Sequence, residues 1–242
     1  MKILQYNRIC FDYTKLIGHA LKKKNNSKVT ALMIEAAKSA FEDGMPLLEM
    51  RTIIEVYDKE NSDEKGYITL SLPGQAPQQL YVGPRAAGLL IPATQIVVIL
   101  STVGNPIVEA IHNAEKNKEY LKMYYIDTFG VLALGEISGR TRAHIKAMAA
   151  KKGWGISPSV QPGAVEGWMT TGQSDLFRLA YGEKIGLTIN EFSFLVPNIS
   201  NSTIIGLGLH YAKNTSDLMC EECSDFVRCL WRRENGNLPD TA

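Results

Sequence analysis

The chain has 242 residues, of which 45% are hydrophobic and 21% are charged, and its formal net charge is +1. These values are typical of a globular protein with one substantial domain or two small ones. The basic residues form no face with interleaved aromatic residues, so nucleic acid is not expected as a partner. Apolar runs such as residues 96–100 are too short to cross a bilayer, and residues 1–10 lack the apolar core of a secretory signal. We therefore expect a cytoplasmic protein without a membrane partner.

Residues 1–92 are predicted to hold the N-terminal helices and the β-hairpin region of the domain. One helix is predicted for residues 13–23 and a second for residues 27–43, with Ser27 as the N-cap and Gly44 as the stop of the second. Short β-favouring runs follow, separated by polar loops, at residues 50–57, 67–72 and 79–82.

Residues 93–212 are predicted to form the core of the same domain. The continuous apolar run at residues 95–101 predicts a strand that is covered on both faces. Asn105 as a cap and Pro106 at the first helical position then predict a helix. A long helix is predicted for residues 119–151, with a break near Gly130 or at residues 135–139.

The second half of this core contains a loop, a helix and two further β runs. The helix opens with a capping box formed by Thr170 and Gln173. The β runs at residues 187–195 and 203–211 predict a terminal hairpin with a polar turn between them. This order of elements predicts an α+β fold, in which helices pack on a mostly antiparallel mixed sheet.

The loop at residues 156–169 and the polar turn of that hairpin are the candidate binding region. The loop holds one charged residue, two prolines that stiffen it, and glycines that allow close approach of a ligand to the backbone. A rigid rim with an aromatic wall and neutral polar groups suits a large, amide-rich, weakly charged ligand. Two purely structural loops are the alternative. The candidate residues are Gln161, Pro162, Gly163, Ala164 and Trp168 in the loop, and Asn198, Ser200, Asn201 and Ser202 in the turn.

Residues 213–242 form a C-terminal tail with three cysteines. Cys220, Cys223 and Cys229 have a spacing at which thiolates can converge on zinc or on an iron–sulfur cluster. The fourth ligand would come from Cys10 or from a partner protein, or the position would stay unfilled. The alternative is that these cysteines are structural or redox thiols.

The loop, the following helix and the β runs resemble the reactivation domain of cobalamin-dependent methionine synthase, and especially its free-standing microbial relatives. Residues 95–210 carry the resemblance, and the long helix places Glu136 where the family has a glutamate. The matching residues are Gln161, Pro162, Gly163 and Trp168 in the loop, Gln173, Leu176 and Phe177 in the helix, and Gly186, Leu187, Thr188, Pro197, Ser200, Ser202, Gly206 and Gly208 further on.

The resemblance implies a methionine synthase activation-domain-like fold and a role with cobalamin. The family's S-adenosylmethionine motif is an arginine, three residues and Gly-Tyr, whereas this chain has Gly163-Ala164 and serines near the arginine position. S-adenosylmethionine is therefore not expected to bind, unless Arg85, Arg140 or Arg142 supplies the missing guanidinium.

The function that the resemblance implies is that of a corrinoid-associated protein, which assists methyl transfer or reductive reactivation. It would bind cobalamin directly or through a partner, and the expected partner is a corrinoid carrier protein or a methyltransferase. Two alternatives remain open: a metal or iron–sulfur redox protein that uses the tail cysteines, and a non-catalytic interaction module of a methyltransferase complex.

Overall fold

The computed structural model describes residues 1–23 and 29–211 of the chain. The helices are α1 (Tyr13–Lys23), α2 (Ala31–Gly44), α3 (Pro84–Leu89), α4 (Asn105–Lys116), α5 (Tyr120–Ala150) and α6 (Gln173–Ala180). The strands are β1 (Lys2–Tyr6), β2 (Met50–Ser62), β3 (Tyr67–Ser71), β4 (Gln78–Tyr81), β5 (Gln95–Thr102), β6 (Gly155–Ile156), β7 (Thr188–Ile189), β8 (Leu195–Val196) and β9 (Ser200–Gly208). In this part of the chain, none of the helices has the length and apolar character needed to span a lipid bilayer.

Seven strands form one sheet in the order β4-β3-β2-β5-β9-β6, and each pairing is antiparallel. The seventh strand, β1, pairs with the first half of the long strand β2, and β3 pairs with the second half. Helices pack against this sheet, which confirms the predicted α+β fold with a mostly antiparallel sheet.

The predicted terminal hairpin is wrong. The first of its two runs contains only the short strands β7 and β8, which pair with each other in a separate two-stranded sheet. Strand β9 instead lies inside the main sheet, between β5 and β6. Because β9 is buried along most of its length, it requires cover on both faces, which an exposed hairpin would not supply.

Strand β5 has two buried faces, as its continuous apolar run predicts. Ile96, Val98 and Leu100 point into a large apolar cluster shared with α3 and α6. Val97 and Ile99 point to the opposite face and join a smaller apolar cluster with α5. The alternation of strand side chains thus divides the core into two layers.

Helix α5 connects the helical layer to the sheet and is continuous over 31 residues, about 46 Å. Phe129 and Ile137 pack against the layer formed by α1, α2 and α4, whereas Ile145 and Ala149 pack against the sheet. The predicted break does not occur. Gly130 serves close packing instead, because a Cβ atom there would lie 2.7 Å from Ile199.

Two of the predicted helix caps differ from the observed ones. Ser27 lies outside the described residues, and α2 is capped by Thr30, whose hydroxyl accepts a hydrogen bond from the amide of Met33 at 3.2 Å. Gly104, with φ +93°, is the N-cap of α4 in place of Asn105. A side chain at Gly104 would meet Glu49 at 2.6 Å, so the close approach of the two segments selects glycine.

Candidate functional site

A polar cavity of about 50 Å³ lies where α5 crosses from the helical layer onto the sheet. Four elements contribute to its wall, and most of the side chains that line it are polar. We call this region the polar seam, and define it by Ile99 and Ser101 of β5, Ser138, Thr141 and Arg142 of α5, Ser159 and Gln161 of the loop, and Asn201, Thr203 and Ile205 of β9.

The polar seam arises because the composition of one sheet face changes along the strands. In the register of β5 with β9, Val97 pairs with Ile205, whereas Ser101 pairs with Asn201. All four side chains face α5, since strand residues two apart lie on the same face. The sheet is therefore apolar under the end of α5 and polar under its middle.

Hydrogen bonds join α5 to the sheet across the polar seam. The amide of Asn201 donates to the hydroxyl of Ser138 at 2.9 Å, and the hydroxyls of Tyr6 and Thr141 lie 2.7 Å apart. Burial raises the pKa of Tyr6, although its hydrogen bond to Thr141 and the charge of Arg140 act in the opposite direction. These groups are hydroxyls and amides, so they bind by neutral hydrogen bonds.

Arg142 is the arginine that reaches the loop. Its guanidinium donates to the hydroxyl of Ser159 at 3.0 Å and to the carbonyl of Ser157 at 3.0 Å, and the residue is 8% exposed. Arg140, one of the other two arginines that could replace the family's motif arginine, instead pairs with Glu136. The guanidinium of Arg142 therefore lies beside the serines that occupy the position of the family's motif arginine. It comes from α5 and not from the loop.

The loop is fixed to the sheet and closes on itself. Val160 exchanges two backbone hydrogen bonds with Ile204 of β9, at 3.0 and 2.9 Å. Gly163 has φ +81° and donates to the carbonyl of Trp168 at 2.7 Å, and a Cβ atom at Gly163 would lie 2.8 Å from the hydroxyl of Thr170. The glycine is therefore required by the turn itself.

Trp168 is part of the core. It is 2% exposed and lies in the large apolar cluster beneath Gly172, so its ring is not presented on the surface of the loop. The predicted capping box next to it is wrong. Thr170 belongs to a 3₁₀ turn, and the side chain of Gln173 accepts a hydrogen bond from the amide of Leu195 at 3.3 Å.

The four candidate residues of the polar turn occupy different environments. Asn198 is exposed, and Asn201 lines the polar seam with Gln161. The hydroxyl of Ser200 donates to that of Thr102 at 2.9 Å. Ser202 points to the opposite face of β9 and is buried, and its hydroxyl has no hydrogen-bond partner within the described residues. In the loop, Pro162 is buried and Ala164 is half-buried.

Glu136 lies outside the polar seam. Its carboxylate accepts hydrogen bonds from the amide of Cys10, at 2.8 Å to each oxygen, and pairs with Arg140 at 3.0 Å. The guanidinium of Arg140 also donates to the sulfur of Cys10 at 2.8 Å. Glu136 therefore holds the segment that follows β1.

The predicted metal ligands Cys220, Cys223 and Cys229 lie outside the described residues. Across residues 1–23 and 29–211, no group of three or more His, Cys, Asp and Glu residues is placed to hold a metal ion. Cys10 is exposed and carries a free thiol.

An exposed aromatic turn was missed by the sequence interpretation. Phe192 and Phe194, 66% and 51% exposed, stand on the turn between β7 and β8. The side chain of Asn190 accepts hydrogen bonds from the amides of both, at 3.0 and 2.9 Å, and Ser193 has φ +65°. We call residues 190–196 the phenylalanine turn. The available signal was Asn190 itself, since an Asn side chain often accepts a hydrogen bond from the backbone two residues on and so organises a turn.

The comparisons with known proteins show the fold. No protein-family model matches the chain, and no curated protein matches it by sequence. Among solved structures, it is similar to the MetH reactivation domain bound to AdoHcy, with a TM-score of 0.60 and 10% sequence identity. The match covers 87% of this chain and 79% of that one. The chain therefore shares the fold of the MetH reactivation domain.

Proposed function

We propose that this is a corrinoid-associated protein, which docks on a corrinoid or on the protein that carries it and assists methyl transfer or reductive reactivation. The fold is that of a domain from a methionine synthase, and the resemblance of residues 95–210 to that family lies in the loop, α6 and the region around β9. The observation that carries the proposal is the pair of exposed rings on the phenylalanine turn, close to a loop and a strand that lack charged side chains.

Two segments of this region lack acidic and basic side chains, and several of their exposed positions lie in the phenylalanine turn. Residues 153–165 and 192–209 contain no Asp, Glu, Lys, Arg or His. Among their amide side chains, Asn198 is exposed, whereas Gln161 and Asn201 are half-buried. The phenylalanine turn supplies two apolar rings and carries one charge, at Glu191. The corrin ring is a large apolar macrocycle with amide side chains at its edge. Neutral hydrogen-bonding groups and exposed rings fit such a ligand better than charged groups do.

Contacts connect the two segments. Gly163 of the loop lies against Thr170, and Thr170 leads into Gln173, whose side chain accepts from the amide of Leu195 in the phenylalanine turn. On the other side, Gln161 and Asn201 line the same cavity. The loop and the phenylalanine turn therefore form adjoining parts of one region.

S-adenosylmethionine is not part of this proposal, although Arg142 supplies a guanidinium next to the loop. The cavity of about 50 Å³ is smaller than the roughly 300–1,000 Å³ typical of small-molecule sites. Two of the hydrogen bonds of Arg142 are already made to Ser157 and Ser159. The role proposed here is docking, in which another protein supplies the electron or the methyl group.

The test is an anaerobic titration of the full chain with cobalamin and with a purified cobalamin-carrying methyltransferase domain, followed by the visible bands of the corrin. The double variant Phe192→Ser/Phe194→Ser should weaken binding at least about tenfold, because large aromatic side chains at the centre of an interface are among the few whose truncation costs more than about 1 kcal/mol. The turn should persist, because Asn190 bonds the backbone and not the rings.

The control is Tyr67→Ser/Tyr81→Ser, which removes another exposed aromatic pair, 40% and 39% exposed, from β3 and β4. This variant should bind like the wild type. Unchanged corrin bands and no complex with either probe would reject the proposal. Surface variants test it better than Gly163→Val, since that substitution would strain the loop whether or not a ligand binds there.

A further inference from the structure

The C-terminal half of α5 and the loop that follows it are rich in basic residues. Residues 137–165 contain no Asp or Glu but five basic residues, namely Arg140, Arg142, Lys146, Lys151 and Lys152. The two arginines are engaged with Glu136 and with the loop. The three lysines are exposed. This end of the molecule therefore presents positive charge to solvent.

Lys2 of β1 belongs to the same group of charges. Its ammonium lies 2.8 Å from the Nε2 atom of His144 on α5. The pKa of His144 is lowered by burial, and also by the positive charges of Lys2 and Lys151. The field of both lysines thus acts on one imidazole. We call Lys2, His144 and Lys151 the cationic cluster, in which the two lysines carry the charge at neutral pH.

The nearest carboxylates do not neutralise this cluster. Lys152 donates to Gln95 at 2.7 Å, and Gln95 donates in turn to Asp58. Glu55 is buried and pairs with the ammonium of Met1 at 2.9 Å. Within the described part of the chain, no acidic side chain forms an ion pair with Lys2, Lys146 or Lys151.

Strand β1 next to the cluster has an open edge. It pairs with β2 along one side, and among the described residues no strand pairs with its other side. Four of the residues 1–5 are exposed, including Ile3 at 41%. An unpaired strand edge offers backbone donors and acceptors to another extended chain. Lys2 alone would protect such an edge from aggregation, but Lys151 extends the positive charge beyond the strand onto α5.

We propose that the outer edge of β1 binds an extended acidic segment of a partner protein as an additional strand. On the α5 face of that strand, carboxylates would meet Lys2 and His144, with Lys151 beyond them. On the opposite face, apolar side chains would meet Ile3. Backbone pairing supplies affinity, and the alternation of acidic and apolar residues supplies specificity. This surface is separate from the loop and the phenylalanine turn, so the inference stands apart from the proposed function.

The test uses a fluorescent eight-residue peptide that alternates Glu and Val, titrated with the full chain and followed by fluorescence anisotropy. We expect saturable binding that weakens as salt is raised, since exposed charge pairs are screened. Lys2→Glu/Lys151→Glu should weaken binding at least about tenfold, because like charges are then juxtaposed. The control Lys65→Glu/Lys116→Glu makes the same change in net charge at exposed sites outside the cationic cluster and should bind like the wild type.

Two further readouts separate strand addition from nonspecific attraction. Bound peptide should raise the pKa of His144, as seen in its imidazole NMR signals, because carboxylates then offset the charges of Lys2 and Lys151. It should also slow hydrogen exchange of β1 amides. The proposal is overturned if the Glu-Val peptide does not bind, if a Lys-Val peptide binds equally well, or if binding leaves exchange in β1 unchanged.

Discussion

The two faces of the central sheet differ in packing, although the same strands supply both. Toward α6, Leu100 and Ile204 belong to a large apolar cluster with Trp168. Toward α5, their neighbours Ser101 and Asn201 line a polar cavity. The α6 face is therefore mostly apolar, whereas the α5 face is apolar under the end of α5 and joined by polar hydrogen bonds under its middle.

The apolar face is tight enough for backbones to touch. A Cβ atom on Gly66 would lie 2.5 Å from the carbonyl carbon of Gly83, and one on Gly83 would lie 2.7 Å from that of Gly167. Gly167 belongs to the loop, so this contact fixes the loop against the segment that precedes α3. The loop glycines thus serve packing as well as turn formation.

The largest effect is expected from Gly83→Ala, which breaks the apolar face. Gly83 has φ +80°, which disfavours alanine, and the added methyl group would overlap the backbone of Gly167. Backbone strain and overpacking each cost about 1–3 kcal/mol, so we expect a loss of about 3–5 kcal/mol in the free energy of unfolding, measured in urea.

Gly74→Ala is the control for this change. Gly74 has φ +78°, but a Cβ atom there would meet nothing within 4 Å, so only the backbone strain is introduced. Its cost should be about 1–2 kcal/mol. Equal costs for the two variants would contradict the close approach of Gly83 to Gly167.

A middle-sized effect is expected from Arg142→Lys, which perturbs the polar face. Lysine lacks the planar fork that reaches both Ser157 and Ser159, so one buried acceptor is left without its donor. The expected loss is about 1–3 kcal/mol, with faster hydrogen exchange in residues 157–163. Arg178→Lys is the control, since Arg178 is exposed and bonds Gln78 on the surface. If hydrogen exchange in the loop of Arg142→Lys matches that of the wild type, Arg142 does not hold the loop in place.

Local sequence patterns predicted the elements but not their partners. The bounds of α1 follow from its helical periodicity, and the strand nature of β5 follows from its continuous apolar run. Both signals come from residues that are close in sequence. The position of β9 between β5 and β6 depends on contacts between residues about 100 apart, which alternation alone does not encode.

The candidate site was predicted in part for the same reason. Gln161 and Asn201 were both chosen from composition, and the structure brings them to one cavity. Trp168 was expected at a surface wall, yet a tryptophan in a short loop is equally suited to fill the core beneath it. Arg142 reaches the loop because α5 crosses the sheet next to it. The sequence does not show that path, so Arg142 was only one of three candidate arginines.

The smallest effect is expected from protonation of His144, which perturbs the α5 face by pH alone. Burial and the charges of Lys2 and Lys151 lower its pKa in the folded state, so the unfolded chain binds the proton more tightly. The contribution of neutral His144 to the free energy of unfolding is complete above its ordinary pKa of about 6.5. This contribution is lost as the pH falls through the lower pKa of the folded state. The free energy of unfolding of the wild type should therefore decline slightly more than that of His144→Gln between about pH 7 and pH 5.

NMR titration of the His144 imidazole measures its pKa directly. Lys2→Met should move this pKa back toward its ordinary value, because it removes one of the two charges. An imidazole that titrates at or above about 6.5 in the wild type would contradict the placement of Lys2 and Lys151 around it.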